Sequence, residues 1–250
     1  MRQNRYTSGE HLACNPTWHA EESPWKARYV LRILAKNRIV PRTICDVGCG
    51  AGEVLRLVQT GLDQGCSLSG YDISPQAIEL AQHRANDRLH FTLGDVREEP
   101  GASFDLILLL DVIEHLENYF DFLRDVQPLA TYKIIQIPLD ITVRSVAAGN
   151  LIKWRAAHGH LHYFTKDVAI QMLRDLGYEV VDYIYTWQEN SNSLNYIWNQ
   201  NKHDTRLLVR RLTGFFARAT LAIPSHVFFA IHPDAAARVM GRWRLLVLAR

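Results

Sequence analysis

The run Ile44-Cys45-Asp46-Val47-Gly48-Cys49-Gly50-Ala51-Gly52-Glu53 constrains the fold of this chain more than any other. A short apolar segment ends in an acidic residue and three alternating glycines. A helical pattern with Val54, Leu55, Leu57 and Val58 on its apolar side opens directly behind them. Glycine lets backbone approach a ligand where a Cβ would intrude, or takes up positive φ without steric cost, and a helix start offers unpaired N–H groups. This is the pattern of a nucleotide-binding turn after a first parallel strand. A dinucleotide fingerprint needs G-x-G-x-x-G; here the sixth position is Glu53 and the third glycine arrives early, at Gly52, which weighs against NAD.

Downstream, apolar runs predict strands at residues 68–73, 89–93, 104–110, 133–137, 179–185 and 244–249, following the first at 43–47. Ser23-Pro24 predicts the start of a helix reaching about Lys36, with Ser23 as N-cap. Ser74-Pro75 caps another, residues 116–126 form a third, and 165–176 form one closed by Gly177. Strands alternating with helices argue an α/β, doubly wound parallel sheet, whose ligands bind beyond the carboxyl ends of the strands. Asp46, Asp72, Asp95 and Asp111 all fall at such ends.

The segment Asp46-Val47-Gly48-Cys49-Gly50-Ala51-Gly52 closely resembles motif I of the class I S-adenosylmethionine-dependent methyltransferases. Leu110-Asp111-Val112-Ile113-Glu114-His115-Leu116 resembles the segment after strand four in small-molecule members, including those of ubiquinone biosynthesis. The resemblance implies a Rossmann-like seven-stranded sheet, mostly parallel with an antiparallel last strand, and S-adenosylmethionine as cofactor. It implies that Gly48, Gly50 and Gly52 form the cofactor loop and that Asp72 binds the ribose hydroxyls. Asp95 would receive the adenine amino group, the Val96 backbone would donate to the ring, and Ile73 would pack on the adenine face. Asp46 and the Leu110 backbone would face the methionine portion.

On the acceptor side, His115 and His160 are the candidate catalytic residues, with Asp111 and His158 nearby. An imidazole titrates near neutrality and suits a base where the acceptor must lose a proton, although a histidine orienting its own helix reads equally well at position 115. Alternation of His158, His160 and His162 invites a metal reading. No clustered Asp, Glu or Cys completes a ligand spacing around them, so no metal is expected, and related methyltransferases carry a similar Gly-His-Leu-x-x-Phe-Thr loop. Trp18 and His19, in an N-terminal lid segment 1–22, are assigned to the substrate side, and Trp25 to the cofactor.

Residues 23–250 form the methyltransferase domain in this reading, with 186–241 as a helical insert before the last strand. The last 50 residues carry nine Lys/Arg against two Asp, a charge of +7 within a chain whose net charge is +2. The insert reads first as a substrate lid or homodimer surface, second as a membrane-surface element through 205–232 for a lipid-like or quinone acceptor, third as core extension. An Asn/Asp-Pro-Pro-aromatic motif and a Pro-Cys nucleophile are both absent, which argues against nucleic-acid substrates. Four cysteines without a C-x-x-C pair fit a reducing, cytoplasmic setting. The expected activity is methyl transfer to a small organic acceptor, O-methylation slightly favoured. The alternatives are a non-catalytic cofactor-binding protein and an NAD-dependent oxidoreductase.

Overall fold

The structure, a computed structural model, describes residues 17–18, 20–187, 229–241 and 243–250. A 3-10 turn, Ala20–Glu22, runs directly into α1, Ser23–Asn37. Then follow β1 (Thr43–Val47), α2 (Glu53–Thr60), β2 (Ser67–Asp72), α3 (Pro75–Gln82), β3 (Leu89–Leu93) and β4 (Phe104–Leu110). The second half holds α4 (Tyr119–Val126), β5 (Ala130–Pro138), α5 (Val143–Ala147), α6 (Asn150–Ala157), α7 (Lys166–Asp175), β6 (Val180–Trp187), α8 (Pro233–Met240) and β7 (Trp243–Ala249).

The seven strands lie in the order β3-β2-β1-β4-β5-β7-β6. The first five are parallel, and β7 inserts antiparallel between β5 and β6. The chain winds outward in both directions from β1 and β4, so the crevice between their carboxyl ends is the switch point where ligands enter such sheets. Both faces of the sheet are covered. In β4, Ile107 and Leu109 point into one apolar cluster while Leu106, Leu108 and Leu110 point into the other, the period of two expected of a strand buried on both sides. In β7 the same alternation separates Leu245 and Val247 from Leu246 and Leu248.

Local chemistry fixes several boundaries. Ser74 caps α3 by accepting the Ala77 N–H at 3.4 Å. Thr165 caps α7 by accepting the Val168 N–H, and Gly177 at φ +86° follows its end. The expected Ser23 cap is corrected: Ser23 is already helical, Glu22 precedes it without a side-chain cap, and Pro24 occupies the first turn. The helix expected from 116 begins at Tyr119, because Ile113–His115 form a 3-10 turn and Asn118 caps α4. Thr186 and Trp187, placed in the insert by sequence, extend β6.

Helices α5 and α6 were not foreseen. The first starts at a capping box in which Thr142 accepts the Ser145 N–H and Ser145 accepts the Thr142 N–H. Most of the insert, 188–228, lies outside the described residues, as do 1–16 of the lid segment and His19. Among the described residues no helix is long and apolar enough to cross a membrane.

Candidate active site

A cavity of about 750 Å³ opens at the carboxyl ends of β1, β2 and β4, under α5 and α6. Its volume is that of a site for a drug-sized ligand or a pair of small ones. The glycine loop forms one end. Gly48 and Cys49 donate their N–H groups to the Tyr71 carbonyl at 2.8 and 3.1 Å, which folds the loop back over β2. Asp72 holds the next turn: its Oδ2 accepts the Gly50 N–H and its Oδ1 the Ser74 N–H, both at 2.9 Å. Burial pushes the Asp72 carboxyl up, and these backbone donors hold it down in part.

Gly50 needs its missing side chain. At φ +55° a Cβ would stand 2.6 Å from Cδ1 of the Trp18 indole, which lies across the loop and lines the cavity. Gly52 serves the fold instead: at φ +76° it precedes α2, and a Cβ there would meet the Phe91 ring at 2.4 Å. Gly52 does not line the cavity, whereas Gly48 and Gly50 do.

Asp46, Ile73, Asp95 and Leu110 also reach the cavity wall. Burial pushes the Asp46 carboxyl up to about 7, Lys26 partly offsetting it and Asp72 adding to it. Asp95 is already engaged. It caps a 3-10 turn through the Arg97 N–H and binds the Arg97 guanidinium at 2.6 Å, and Arg97 also reaches Asp125 at 3.0 Å. The Val96 side chain is buried in the core rather than on the wall.

Trp25 departs from its expected place. It is buried at 3% exposure, does not line the cavity, and packs edge-on against Tyr29 with the Arg244 guanidinium 5.1 Å over its ring. One residue advances a helix by about 100°, so α1 presents Ser23 and Lys26 to the cavity and turns Trp25 inward.

Beyond Leu110 the wall becomes charged. Asp111 adopts φ +61°, and its carboxylate receives Lys26 at 2.8 Å and the Gln136 side-chain amide at 2.9 Å, with Arg244 Nε at 3.3 Å. Burial alone would raise this carboxyl; Lys26 and Arg244 overcome that and hold it well below the usual range. Glu22 balances the second cation, 3.7 Å from Lys26 and 3.9 Å from Arg244. Sequence reasoning missed Lys26, Gln136 and Arg244, which carry no motif and become notable only once buried together.

The 3-10 turn after β4 and the loop after α6 meet at the far end. The Glu114 carbonyl accepts the Leu161 N–H at 2.7 Å and the His162 N–H at 3.3 Å, which pins the loop to the turn. His115 and His160 are thereby brought edge-to-face, 5.1 Å between ring centroids, and His158 lies 5.7 Å from His160. His160 Nδ1 donates to Asp140 Oδ2 at 2.6 Å, and His115 Nδ1 donates to the Gly159 carbonyl at 3.4 Å. His162 does not share this face: its Nε2 bonds the Leu116 carbonyl and its ring packs on Tyr119. Glu114 is fully buried; burial, and then the charge of Asp111, push its carboxyl well up. His115, His158, His160, Asp140 and Glu114 all line the cavity. It thus joins a glycine-loop end walled by carboxylates to a polar end with two oriented imidazoles.

A methyltransferase domain family model matches residues 18–183. Ajmaline N-methyltransferase from Rauvolfia serpentina is 34% identical over 97 residues, 36% of this chain and 33% of that protein. A ubiquinone biosynthesis O-methyltransferase from Ruegeria pomeroyi is 25% identical over 179 residues, 62% of this chain and 71% of that one. The match to the first of these spans about a third of its length. The plantazolicin methyltransferase BpumL, solved with a monoazolic desmethylPZN analog and S-adenosylhomocysteine, superposes with a TM-score of 0.60 over 99% of this chain and 92% of that one at 16% identity, a likeness of fold. With its seven-stranded order, its glycine loop and a family match over well more than half its length, the chain belongs to the methyltransferase domain family, with the class I fold.

Proposed function

We propose that the chain transfers the methyl group of S-adenosylmethionine to a heteroatom of a small organic acceptor. The observation that carries this reading is the continuity of one cavity from the Asp72-organised glycine loop to the His115–His160 pair. The family match supports it, as do relatives named as an ajmaline N-methyltransferase and a ubiquinone biosynthesis O-methyltransferase.

In this reading the Gly48–Gly50 loop backs the cofactor, and each Asp72 oxygen, having accepted one backbone N–H, offers its remaining lone pair to a ribose hydroxyl. Ile73, 39% exposed on the wall, packs on the adenine, with Asp95 and the Val96 backbone at the ring edge. Asp46 and Leu110 face the methionine portion; a protonated Asp46 gives up its proton when the cofactor ammonium approaches. Trp18 closes over the loop.

Methyl transfer is an in-line displacement at a carbon activated by the sulfonium, so the protein chiefly holds nucleophile and methyl about 3–3.5 Å apart. His115 and His160, oriented through Gly159 and Asp140, meet the acceptor heteroatom, with His158 and Asp111 on the adjoining wall. This polar end suits a hydroxyl, which must shed a proton, and favours O-methylation over transfer to an amine with a free lone pair. His115→Ala is expected to lower turnover roughly 10²-fold or more while leaving S-adenosylhomocysteine affinity intact. Turnover equal to wild type at saturating acceptor removes His115 from the reaction.

A further inference from the structure

We propose that Glu114, His115 and His160 form a binding site for a divalent cation of the zinc, iron and manganese class, open toward the acceptor end of the cavity. One ligand atom from each of the three residues lies within 4.8 Å of those of the other two. Bonds of about 2.0–2.2 Å bring such atoms to some 3–3.5 Å apart, a contraction that small side-chain rotations supply.

Four features distinguish this cluster from a chance meeting of polar groups. Glu114 has no exposed surface, and neither of its carboxyl oxygens has a hydrogen-bond partner among the described residues. A buried carboxyl in that state is costly, and a bound ion is one of the few things that account for it. The two hydrogen bonds Glu114 does accept fall on its backbone carbonyl and leave the carboxyl uncommitted.

Each imidazole is held from behind. A carboxylate and a carbonyl can only accept, so His160 carries its proton on Nδ1 toward Asp140 and His115 carries its proton on Nδ1 toward Gly159. In that tautomer the ring lone pair of each histidine is on Nε2, and His115 Nε2 lies 4.0 Å from Glu114 Oε1. This carboxylate–histidine arrangement is the one that orients metal-ligating histidines. Finally, all three residues line the cavity, so protein ligands occupy one side and the remaining positions face the acceptor. Two imidazoles and one carboxylate suit zinc or iron better than calcium or magnesium, which take oxygen ligands.

The expectation of no metal rested on the absence of an acidic residue at ligand spacing around His158, His160 and His162. The carboxylate comes instead from the other segment, and the second imidazole is His115 rather than His158 or His162. The consequence for catalysis rests on the proposed methyl transfer, although the site itself does not. A hydroxyl acceptor bound to the cation is acidified and releases its proton to solvent. Its oxygen then forms the bond to the methyl carbon as the carbon–sulfur bond breaks, leaving the methyl ether and S-adenosylhomocysteine. In that step His115 and His160 act as ligands.

The test is titration of Zn²⁺ into chelator-treated full-length protein by calorimetry, repeated with Co²⁺ to read coordination from its visible absorption. S-adenosylhomocysteine binding, measured on the same samples, reports independently on the fold and on the cofactor reading. One cation per chain is expected, with Glu114→Gln and His160→Ala each weakening Zn²⁺ by about a hundredfold and Asp140→Asn by roughly tenfold, while cofactor affinity stays within about twofold. No Zn²⁺ binding by the wild-type chain overturns the proposal. Zn²⁺ binding that Glu114→Gln and His160→Ala leave unchanged, as adventitious sites on other histidines would give, also overturns it. Loss of cofactor binding in the wild-type chain, with Zn²⁺ still bound, would sink the methyl-transfer reading and leave the metal site standing.

Discussion

Replacing Asp72 with alanine probes the cofactor end at its organising point. Asp72 Oδ2 and Oδ1 accept one backbone N–H each, from Gly50 and Ser74 at 2.9 Å. A carboxylate has about four acceptor positions, so each oxygen keeps one for a ribose hydroxyl. A hydrogen bond to a charged group is worth about 1.5–3 kcal/mol net, and water refilling the space beside alanine returns part of that. Half of the lower figure, taken for two bonds, leaves about 1.5 kcal/mol, a little over tenfold in Kd. The substitution also strips an acceptor from two loop N–H groups near the cavity mouth, costing about 1–2 kcal/mol of stability and roughly 2–8 °C in Tm. Asp72→Asn, which keeps the size and one oxygen, should fall between wild type and alanine on both measures. Calorimetric titration of S-adenosylhomocysteine, with a thermal melt on each variant, reads both effects. A folded Asp72→Ala protein whose Kd stays within about twofold of wild type refutes the ribose assignment.

Three other substitutions test the surrounding structure. Gly52→Ala forces a side chain into φ +76° and into the Phe91 ring 2.4 Å away; about 1–2 kcal/mol for the backbone and about 1–3 for overpacking should appear in denaturant unfolding, and a loss under about 0.5 kcal/mol would contradict the packing. Asp111→Ala leaves Lys26 and Arg244 buried without the carboxylate that stands nearest to both, and should cost about 3–5 kcal/mol; near-neutral behaviour would show that the cluster is hydrated. Asp46 has its carboxyl raised by burial from 3.8 to about 7, so the folded protein binds the extra proton between those values and loses stability as pH rises through that window. Asp46→Asn should flatten this slope, by a few kcal/mol at most, and parallel stability profiles for the two proteins would refute the shift.

The parts of this molecule that were legible in the sequence are those in which local chemistry and tertiary role coincide. Gly48, Gly50 and Gly52 mark a turn whatever surrounds it, Ser74 and Thr165 cap helices through bonds to their own neighbours, and the unbroken Leu106–Leu110 run demands burial on both faces. Helices α5 and α6 gave no such signal. Both are short, and α6 buries none of its residues, so neither has the apolar stripe by which a helix declares itself.

The acceptor end was half visible. His115, His158 and His160 stand out as residue types, but Glu114 and Asp140 come from separate segments that only the fold brings to them, the histidine loop being pinned to the Glu114 carbonyl by the Leu161 and His162 N–H groups and to Asp140 through His160. Lys26 and Arg244 look like surface cations in sequence, and only the folded chain closes them around Asp111. Trp25 was misplaced because nearness in sequence to the site says nothing about helix face, and a single residue step separates it from Lys26 on the cavity wall.

The most direct test of the central claim is transfer of label from methyl-labelled S-adenosylmethionine into a cell extract, fractionated into aqueous small molecules, lipids, protein and nucleic acid, with Asp72→Ala and His115→Ala as controls. The account predicts label in the small-molecule or lipid fraction with the wild-type protein and a strong reduction with both variants. Label in protein or nucleic acid instead, or in no fraction at all, would contradict it.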